Sequence, residues 1–470
     1  LPLVSILVFF LLLEGGLALF GVKPILKTED PFVGFASNAP LFVPAPGPRA
    51  NQWLVTAENK RGYFNEQSFP QIKAPGTYRI FTLGGSTTYG RPYDDKTSFS
   101  GWLREFLSVA DSNRSWEVIN AGGISYASYR VAHLMEELIN YQPDLFIIYT
   151  GHNEFLEERT YGQIRDMSPL VKNTVSVINK TRTWAAMNSA MRSLGLKAEE
   201  QESSRYTLSD RVDTILDLTV GLDQYKRDDA LRENILKHYR LSLERMVALA
   251  RSIDAEVIFV NPASSQNDCT PFKSQHTPGL EPSVQQRTDR MLAEGKEAMQ
   301  KEDWQEALKI FATASAENPR HAELHYRRGQ TLLALGRYDD AQEAFRIASD
   351  EDVCPLRALT PMNQIVKQVA SEQKVALVDY VAILERQMQA EKGYPIPGAE
   401  LFLDHVHPTI EGHKILAIAL LQKMIEQGMV QPGPNWNDQA IANVAAIIEG
   451  QIDREAHGQA LANLARVLLW

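Results

Sequence analysis

The stretch Thr77–Thr88, TYRIFTLGGSTT, decides how the rest of the chain is interpreted. Its first half, Tyr78–Leu83, is a short apolar run that ends at two glycines, which is typical of a buried strand. The two glycines permit a tight turn, and the polar residues from Ser86 onward predict that a helix follows. A serine at a strand-to-helix turn is well placed to act as a nucleophile. By itself the signal is weak, because a Gly-Gly-Ser turn that only caps a helix is more common.

Short apolar runs and helical patterns alternate on the carboxyl-terminal side of this stretch. One helical pattern, Ala127–Gln142, separates two of the runs and keeps its apolar residues on one face. Alternating strands and helices predict an α/β fold with a mostly parallel sheet covered on both faces. The runs that predict the further strands are Glu117–Ile119, Leu145–Tyr149, Val257–Val260 and Val375–Val378.

A repeat with a period of 34 residues interrupts this pattern. Small and aromatic residues return at matched positions, which resembles the tetratricopeptide repeat, where aromatic side chains fill the groove between two crossing helices. An ordinary helical hairpin with chance matches is the alternative. The first set is Gly295, Trp304, Ala307, Phe311 and Ala314, and the second is Gly329, Tyr338, Ala341, Phe345 and Ala348.

Composition excludes several classes of protein. The 470 residues include 48 Lys and Arg and 58 Asp and Glu, for a formal charge of −10, which argues against a nucleic-acid-binding role. Two cysteines are too few for a disulfide scaffold or a cysteine-based zinc module. The hydrophobic share of 44% is ordinary for a globular protein with a sizeable core.

The first residues are far more apolar than the rest. Residues 1–22 form a run long enough to span a hydrocarbon core of about 30 Å, and we interpret them as a membrane anchor. A cleaved signal peptide is the alternative, but no clean cleavage site follows. Glu14 is costly in a membrane and marks a candidate helix–helix contact. Residues 23–76 are rich in proline and predict a stalk or irregular cover instead of a core element.

Three further blocks of polar residues follow later strands or lie in a distal loop. Together with Gly84-Gly85-Ser86 they resemble, in order, the four blocks of the SGNH hydrolases, also called GDSL-type esterases. The resemblance covers roughly residues 77–427 without the repeats, and it implies a flavodoxin-like three-layer α/β/α sandwich. The blocks are Asn120-Ala121-Gly122-Gly123-Ile124-Ser125, Gly151-His152-Asn153-Glu154 and Asp404-His405-Val406-His407-Pro408.

The resemblance also implies a role for each block. Ser86 matches the nucleophile, His407 the base that takes its proton, and Asp404 the carboxylate that orients the imidazole. The oxyanion hole would consist of the backbone N–H of Ser86, the side chain of Asn153 and the backbone N–H of Ser125. The family usually has Gly where this chain has Ser125, so the geometry of that third donor depends on its dihedral angles.

The chain departs from the family pattern at two other positions, and one alternative chemistry stays open. Gly85 replaces the usual Asp before the nucleophile, and Glu154 replaces the usual Asp after Asn153. His405 competes with His407 for the role of base. A metal site is the alternative chemistry, but the sequence lacks the paired histidines of zinc hydrolases, so we expect no metal and no cofactor. Its ligands would be Asp404, His405, His407 and His152.

Several other polar residues are interpreted as surface positions, and the two cysteines as a candidate pair. Cys269 and Cys354 bracket the repeats, and a disulfide between them would pin both ends of the insertion in an oxidising compartment. Unrelated loop cysteines are the alternative. The residues expected on the surface are Glu157, Glu158, Arg159, His276 and Arg357.

These observations predict a membrane-anchored serine ester hydrolase that acts through an acyl-enzyme on acylated envelope glycan. An O-acyltransferase with the same triad, or a non-enzymatic scaffold of an envelope complex, is the alternative. We expect a protein partner at the repeats, and an inner-membrane location with the catalytic domain in the periplasm. The predicted units are the anchor at 1–22, the cover at 23–76, the hydrolase domain at 77–281 and 353–430, the helical repeats at 282–352, and a linker with a repeat-like helix at 431–470.

Overall fold

The computed structural model describes residues 2–22, 24, 39–50, 52–157, 181–193 and 225–468. Strands in these residues form a three-stranded antiparallel sheet and a five-stranded parallel sheet. The antiparallel sheet consists of β1 (Phe42–Pro44), β2 (Trp53–Thr56) and β3 (Ser68–Pro70). The parallel sheet consists of β4 (Thr77–Gly84), β5 (Ser115–Gly122), β6 (Leu145–Tyr149), β7 (Glu256–Val260) and β8 (Ala376–Val378).

Helices connect the parallel strands and extend the chain at both ends. Those before β7 are α1 (Pro2–Leu19), α2 (Ser86–Tyr89), α3 (Phe99–Ala110), α4 (Ser128–Leu138), α5 (Arg182–Ser193) and α6 (Asp229–Arg251). Those between β7 and β8 are α7 (Pro282–Gln300), α8 (Trp304–Glu317), α9 (Ala322–Ala334), α10 (Tyr338–Asp350) and α11 (Thr360–Glu372). Those after β8 are α12 (Tyr380–Lys392), α13 (Ile410–Glu426), α14 (Asp438–Gly450) and α15 (Arg454–Leu468).

The parallel sheet has the order β5-β4-β6-β7-β8, which is the doubly wound order of flavodoxin-like folds. The chain direction across the sheet reverses beside β4, so a crevice opens at the carboxyl ends of β4 and β6. The apolar runs of the sequence lie in these five strands. The predicted α/β class is therefore confirmed, and its topology points to one end of the sheet as the binding edge.

Helices cover both faces of this sheet and bury separate apolar cores. On one face α4, α6 and α11 pack on side chains such as Phe81, Phe146 and Phe259. On the other face α3, α12 and α13 pack on side chains such as Ile80, Ile147 and Ile258. Neighbouring strand residues point to opposite faces, so continuous apolar strands are required for a sheet buried on both sides.

The interpretation of residues 23–76 as a stalk or irregular cover is wrong for the part that the structure describes. β1–β3 form a small sheet, and Leu41, Phe42, Leu54 and Phe69 are buried in the core shared with α4. Glu137 of α4 fixes this layer by accepting from the backbone N–H groups of Leu41 and Phe42. Strands of three or four residues are too short to show a clear alternating pattern. The prolines of this segment therefore favoured the prediction of an irregular structure.

The repeats are two helix pairs, α7–α8 and α9–α10, inserted between β7 and β8. Phe311 fills the space above Gly295, where an added Cβ would lie 2.5 Å from the ring. Phe345 does the same above Gly329, at 2.8 Å. The matched glycines and phenylalanines therefore make the same close helix crossing in both repeats, as their 34-residue spacing predicted.

The apolar N-terminal run forms α1, which contacts α5. Glu14 accepts from the backbone N–H groups of Arg182 and Thr183 at 2.9 and 2.6 Å, so it joins α1 to the first turn of α5. The helix–helix contact expected at Glu14 is therefore present. In the part of the chain that the structure describes, no helix combines the length and apolar character needed to cross a membrane.

The C-terminal helices α14 and α15 pack close to the segment between β4 and β5. α14 contacts α3, and His457 of α15 stacks on Tyr93 with ring centroids 4.0 Å apart. The tail thus reaches the loop that follows α2.

Candidate active site

Ser86 lies at the carboxyl end of β4, beside the crevice formed with β6. It is the first residue of α2, so its peptide N–H has no acceptor within that helix. Asn120 at the end of β5 holds the other end of α2 by donating to the carbonyl oxygen of Thr88 at 3.0 Å. β4 and its neighbour β5 therefore fix the turn that presents the Ser86 hydroxyl.

The loop before α13 carries the other two residues of the predicted triad. Asp404 accepts from the backbone N–H groups of Val406 and His407 at 2.8 and 2.7 Å, an Asx turn that reverses the chain. Thr409 caps α13 by accepting from the N–H of Gly412 at 3.1 Å. The imidazole of His407 is thus held between the turn and a capped helix.

The structure brings Ser86, His407 and Asp404 into one hydrogen-bonded array. Nε2 of His407 lies 2.7 Å from Oγ of Ser86, and its Nδ1 lies 2.5 Å from Oδ2 of Asp404. Burial opposes ionisation of Asp404, but the imidazoles of His407 and His405 and the hydrogen bonds from His407 hold its pKa well below the usual range. A carboxylate therefore faces Nδ1, which leaves Nε2 as the nitrogen that can accept the Ser86 proton.

Of the predicted oxyanion donors, the side chain of Asn153 lies beside the residue that precedes Ser86. The side-chain amide of Asn153 would be 2.5 Å from a Cβ added at Gly85, the residue before Ser86. One of its hydrogens is donated to the carbonyl oxygen of Tyr126 at 3.1 Å, and the other has no acceptor among the described residues. Gly85 therefore leaves the space that the Asn153 amide occupies.

Ser125 adopts the left-handed backbone conformation, with φ of 62°. That region favours glycine, the residue usual at this position in the family that the sequence resembles. The Gly-to-Ser departure therefore keeps the glycine-like backbone. Hydrogen bonds from Ile124 to Tyr63 and from Tyr126 to Gly123 flank the residue, whereas its own N–H has no acceptor in the described part of the chain.

The other two histidines of the metal alternative have structural contacts. His405 is partly buried and packs edge-on against Phe272 with centroids 5.0 Å apart, and loss of hydration is the main cause that lowers its pKa to about 4. His152 accepts from the backbone N–H of Ala358 at 3.2 Å, and burial lowers its pKa to about 3. His407 uses both ring nitrogens within the triad. The contacts of His405, His152 and His407 therefore suit a proton relay at His407 better than a metal centre.

Another cluster has the ligand types of a metal site, at the base of the repeats. Its potential ligand atoms in His276, Asp289 and His321 lie within 4.8 Å of one another. However, Asn318 accepts from the N–H of Thr277, so its amide nitrogen faces Nδ1 of His276 at 2.7 Å. Nδ1 of His276 must therefore accept a hydrogen bond from this amide. The imidazole proton then lies on Nε2, the atom directed at Asp289. The tautomer suits a hydrogen-bonded joint and opposes ligation through Nε2.

Two acidic residues beside Asn153 were missed as parts of the site. Glu157, expected on the surface, is buried and its carboxylate lies 2.7 Å from Nε of Arg130. Glu154 accepts from the backbone N–H and hydroxyl of Ser128 at 2.9 and 2.7 Å. Glu154 and Glu157 are three residues apart and therefore share one helical face, but the sequence analysis treated Glu154 as a departure from the family pattern and Glu157 as a surface residue.

Arg357 was also expected on the surface and is instead 2% exposed. Its guanidinium donates to the carbonyl oxygen of Ser265 at 2.9 Å, and the N–H of Ser265 donates to the carbonyl oxygen of His405 at 3.0 Å. Arg357 therefore supports, through Ser265, the loop that carries Asp404 and His407. Glu158 and Arg159 lie outside the described residues.

The predicted disulfide is absent, since Cys269 and Cys354 are free thiols. Cys269 lies 3.2 Å from Nη2 of Arg357, and Cys354 is fully buried in a cluster with Tyr225 and Val353. Arg357 thus occupies the neighbourhood of Cys269 that the bridge would need. The ends of the insertion are joined by Asp352 instead, which accepts from the backbone N–H groups of Phe272 and Lys273.

Solved structures with a similar chain fold include several hydrolases. They include the acetylxylan esterase Axe2 from Geobacillus stearothermophilus, at 14% identity over 75% of this chain and 96% of that one, with a TM-score of 0.33. An α/β hydrolase, LAE5, from the metagenome of Lake Arreo matches at 12% identity over 74% and 94%, with a TM-score of 0.33. A protein assigned to the G-D-S-L lipolytic family from Desulfitobacterium hafniense matches at 11% identity over 73% and 98%, with a TM-score of 0.31. At this level of similarity the matches carry no argument about activity.

No curated protein matches the sequence. Residues 292–352 match the family model of the tetratricopeptide repeat. The matched segment covers most of the helix pairs α7–α10, whose glycine and phenylalanine contacts recur at the repeat period. The inserted helices are therefore a tetratricopeptide-repeat module.

Proposed function

We propose that this protein is a serine ester hydrolase of the SGNH type that acts through an acyl-enzyme. The observation that carries the proposal is the array in which His407 lies 2.7 Å from the Ser86 hydroxyl and 2.5 Å from the Asp404 carboxylate. The proposal is supported further by the Asn153 amide, which lies beside Gly85 and can donate to an oxyanion.

In the acylation half-reaction, Oγ of Ser86 attacks the ester carbonyl carbon while Nε2 of His407 takes the hydroxyl proton. The carbonyl oxygen becomes an oxyanion, which receives hydrogen bonds from the N–H groups of Ser86 and Ser125 and from the Asn153 amide. Asp404 stabilises the imidazolium. The tetrahedral intermediate then collapses, the bond to the alcohol oxygen breaks, and His407 returns its proton to the departing alcohol.

In the deacylation half-reaction, a second nucleophile attacks the acyl-enzyme. His407 takes its proton, the same donors hold the oxyanion, and Ser86 leaves as the hydroxyl with the proton from His407. Water gives the carboxylic acid and makes the protein a hydrolase. A sugar hydroxyl in place of water would give a new ester, so O-acyl transfer uses the same residues when water is excluded.

The substrate class that we propose is a short acyl ester, such as an acetyl group, on an envelope glycan. It is supported by the resemblance of the sequence blocks to a family that often removes acetyl groups from carbohydrates. Purified protein should be incubated with short and long acyl esters and acetylated sugars, and the free acid and any transferred ester should be quantified. Fluorophosphonate labelling that maps to Ser86 is expected, whereas no hydrolysis, no transfer and no labelling would leave only the scaffold function.

We also propose that the repeats bind a protein partner and that residues 1–22 attach the chain to the inner membrane, with the catalytic domain outside the cytoplasm. The repeat module supports the first proposal, because such helix pairs commonly present a binding surface. The second is supported by the apolar N-terminal sequence and by the exposed side chains of Val8, Phe9, Leu11, Leu12 and Leu19 on α1.

Cell fractionation and affinity purification test both proposals together. The full chain is expected in the membrane fraction with a co-purifying partner, and a chain without residues 1–22 in the soluble fraction. Replacing residues 282–352 with a short linker should leave hydrolysis of a small ester intact and abolish co-purification of the partner. A partner retained after this deletion would show that the repeats are structural, and a full chain found only in the soluble fraction would contradict attachment.

A further inference from the structure

The loop between β5 and α4 presents the Ser125 N–H in a conformation that needs external support. Ser125 has φ of 62°, a region in which a residue with a Cβ is disfavoured by roughly 1 kcal/mol or more. The N–H is not held by an acceptor among the described residues. The direction of this donor must therefore be fixed through the other atoms of the loop.

Arg130 in the first turn of α4 provides this support. It is 0% exposed, donates through Nη2 to the carbonyl oxygen of Ser125, and stacks over the ring of Tyr126 at 4.2 Å. A buried cation in the first turn of a helix opposes the helix dipole and loses its hydration, so packing alone does not favour it. Arg130 therefore contacts two successive residues of the loop that carries the predicted Ser125 donor.

Glu157 holds Arg130 and the same loop from the opposite side. One oxygen of Glu157 accepts from Nε of Arg130 at 2.7 Å and from the N–H of Ala127 at 2.9 Å. The N–H of Glu157 donates to the carbonyl oxygen of Asn153 at 2.8 Å, so the residue lies one helical turn after the side-chain oxyanion donor. Glu157 thus links the block that carries Asn153 to the loop that carries Ser125.

Glu154 shares this site without adding a second negative charge. Burial and the nearby Glu157 raise the pKa of Glu154 to about 8, so its neutral form dominates at pH 7. A neutral carboxyl can still accept from the backbone N–H of Ser128 through Oε1 and from its hydroxyl through Oε2. Arg130 and Glu157 therefore balance each other's charge, and both form hydrogen bonds with the loop between β5 and α4.

We infer that Arg130 and Glu157 are positioning residues for the oxyanion hole, and that they set the direction of the Ser125 N–H relative to Asn153. The inference rests on the proposed function, since it assigns these two buried residues to the same acyl-transfer site. Neither side chain touches the reacting atoms. Their effect is expected in the transition state, where the oxyanion forms, and not in binding of the ester.

The test compares Arg130→Lys and Glu157→Gln with the unaltered protein on one short ester. Arg130→Lys keeps the charge but loses the forked donors, and Glu157→Gln keeps the shape but loses the charge. Each is expected to lower kcat by about 10- to 100-fold, less than the loss of a whole oxyanion donor, with KM within about twofold. Affinity for a trifluoromethyl ketone, which mimics the tetrahedral adduct, should fall in parallel with kcat/KM.

An ion pair in the parallel sheet, between a buried arginine and a partly buried glutamate, provides the control. Arg79 is 0% exposed and its Nε lies 2.6 Å from Glu117, but both residues belong to the opposite half of their strands, away from the carboxyl ends. Arg79→Lys and Glu117→Gln should lower the melting temperature and leave kcat within about twofold.

The outcomes separate this inference from the proposed function. If the unaltered protein neither hydrolyses esters nor reacts with fluorophosphonate, the proposed function fails. If it hydrolyses esters but Arg130→Lys and Glu157→Gln change kcat no more than the control pair does, only the positioning role fails. Where either variant melts below the assay temperature, the Arg130→Met/Glu157→Met double variant replaces it, because an apolar pair leaves no buried charge.

Discussion

Ser86→Ala and His407→Ala are each expected to lower kcat for ester hydrolysis by about 10⁶-fold, and the double variant by no more than either single one. The physical reason is that Oγ of Ser86 and Nε2 of His407, 2.7 Å apart, act as one unit. Without the base the hydroxyl stays protonated, and without the hydroxyl the base has no proton to take. The second substitution therefore removes nothing that the first has left.

The measurement is steady-state and single-turnover hydrolysis of one ester by the three variants. His405→Ala serves as a comparison, since His405 packs on Phe272 behind the triad and does not contact Ser86. It should act mainly through stability and retain far more activity than His407→Ala. Additive losses in the double variant would indicate that Ser86 and His407 work in separate steps, as in activation of water by a metal or by another base.

The strands and the triad could be predicted because their signals are local. The parallel strands contain short apolar runs because the sheet is covered on both faces, and each polar block follows a strand or precedes a helix. Asp404 and His407 are three residues apart, so a single turn brings them together. What local signals cannot supply is the distance from Ser86 to His407, 321 residues apart, which the sheet order sets.

The parts that the sequence did not predict depend on partners distant in the chain. Arg130 and Glu157 are separated by 27 residues, and Arg357 reaches Ser265 across 92 residues. Charged residues of this kind are usually solvated, and only a distant partner makes their burial favourable. The same reasoning explains the cysteines, because the guanidinium beside Cys269 comes from the far side of the repeats.

Asp404→Asn is expected to lower kcat by about 10⁴-fold while the fold is kept. The two backbone N–H groups of Val406 and His407 donate to Oδ1 at 2.8 and 2.7 Å, and these donors will select the amide oxygen of Asn. The amide nitrogen must then face Nδ1 of His407 and donate to it. This fixes the proton of the neutral imidazole on Nε2, the nitrogen that should accept from Ser86.

The variant therefore tests the tautomer and not merely the presence of a carboxylate. Single-turnover acylation and the rate of fluorophosphonate labelling should both fall, because both need the Ser86 proton to move to Nε2. Asp352→Asn is the matched control, since Asp352 is also buried, accepts from the backbone N–H groups of Phe272 and Lys273, and faces no catalytic residue. It should lower the melting temperature with kcat nearly unchanged. Equal activity of Asp404→Asn and the unaltered protein would mean that His407 acquires its reactive tautomer without Asp404, and the hydrogen-bonded array would then be structural.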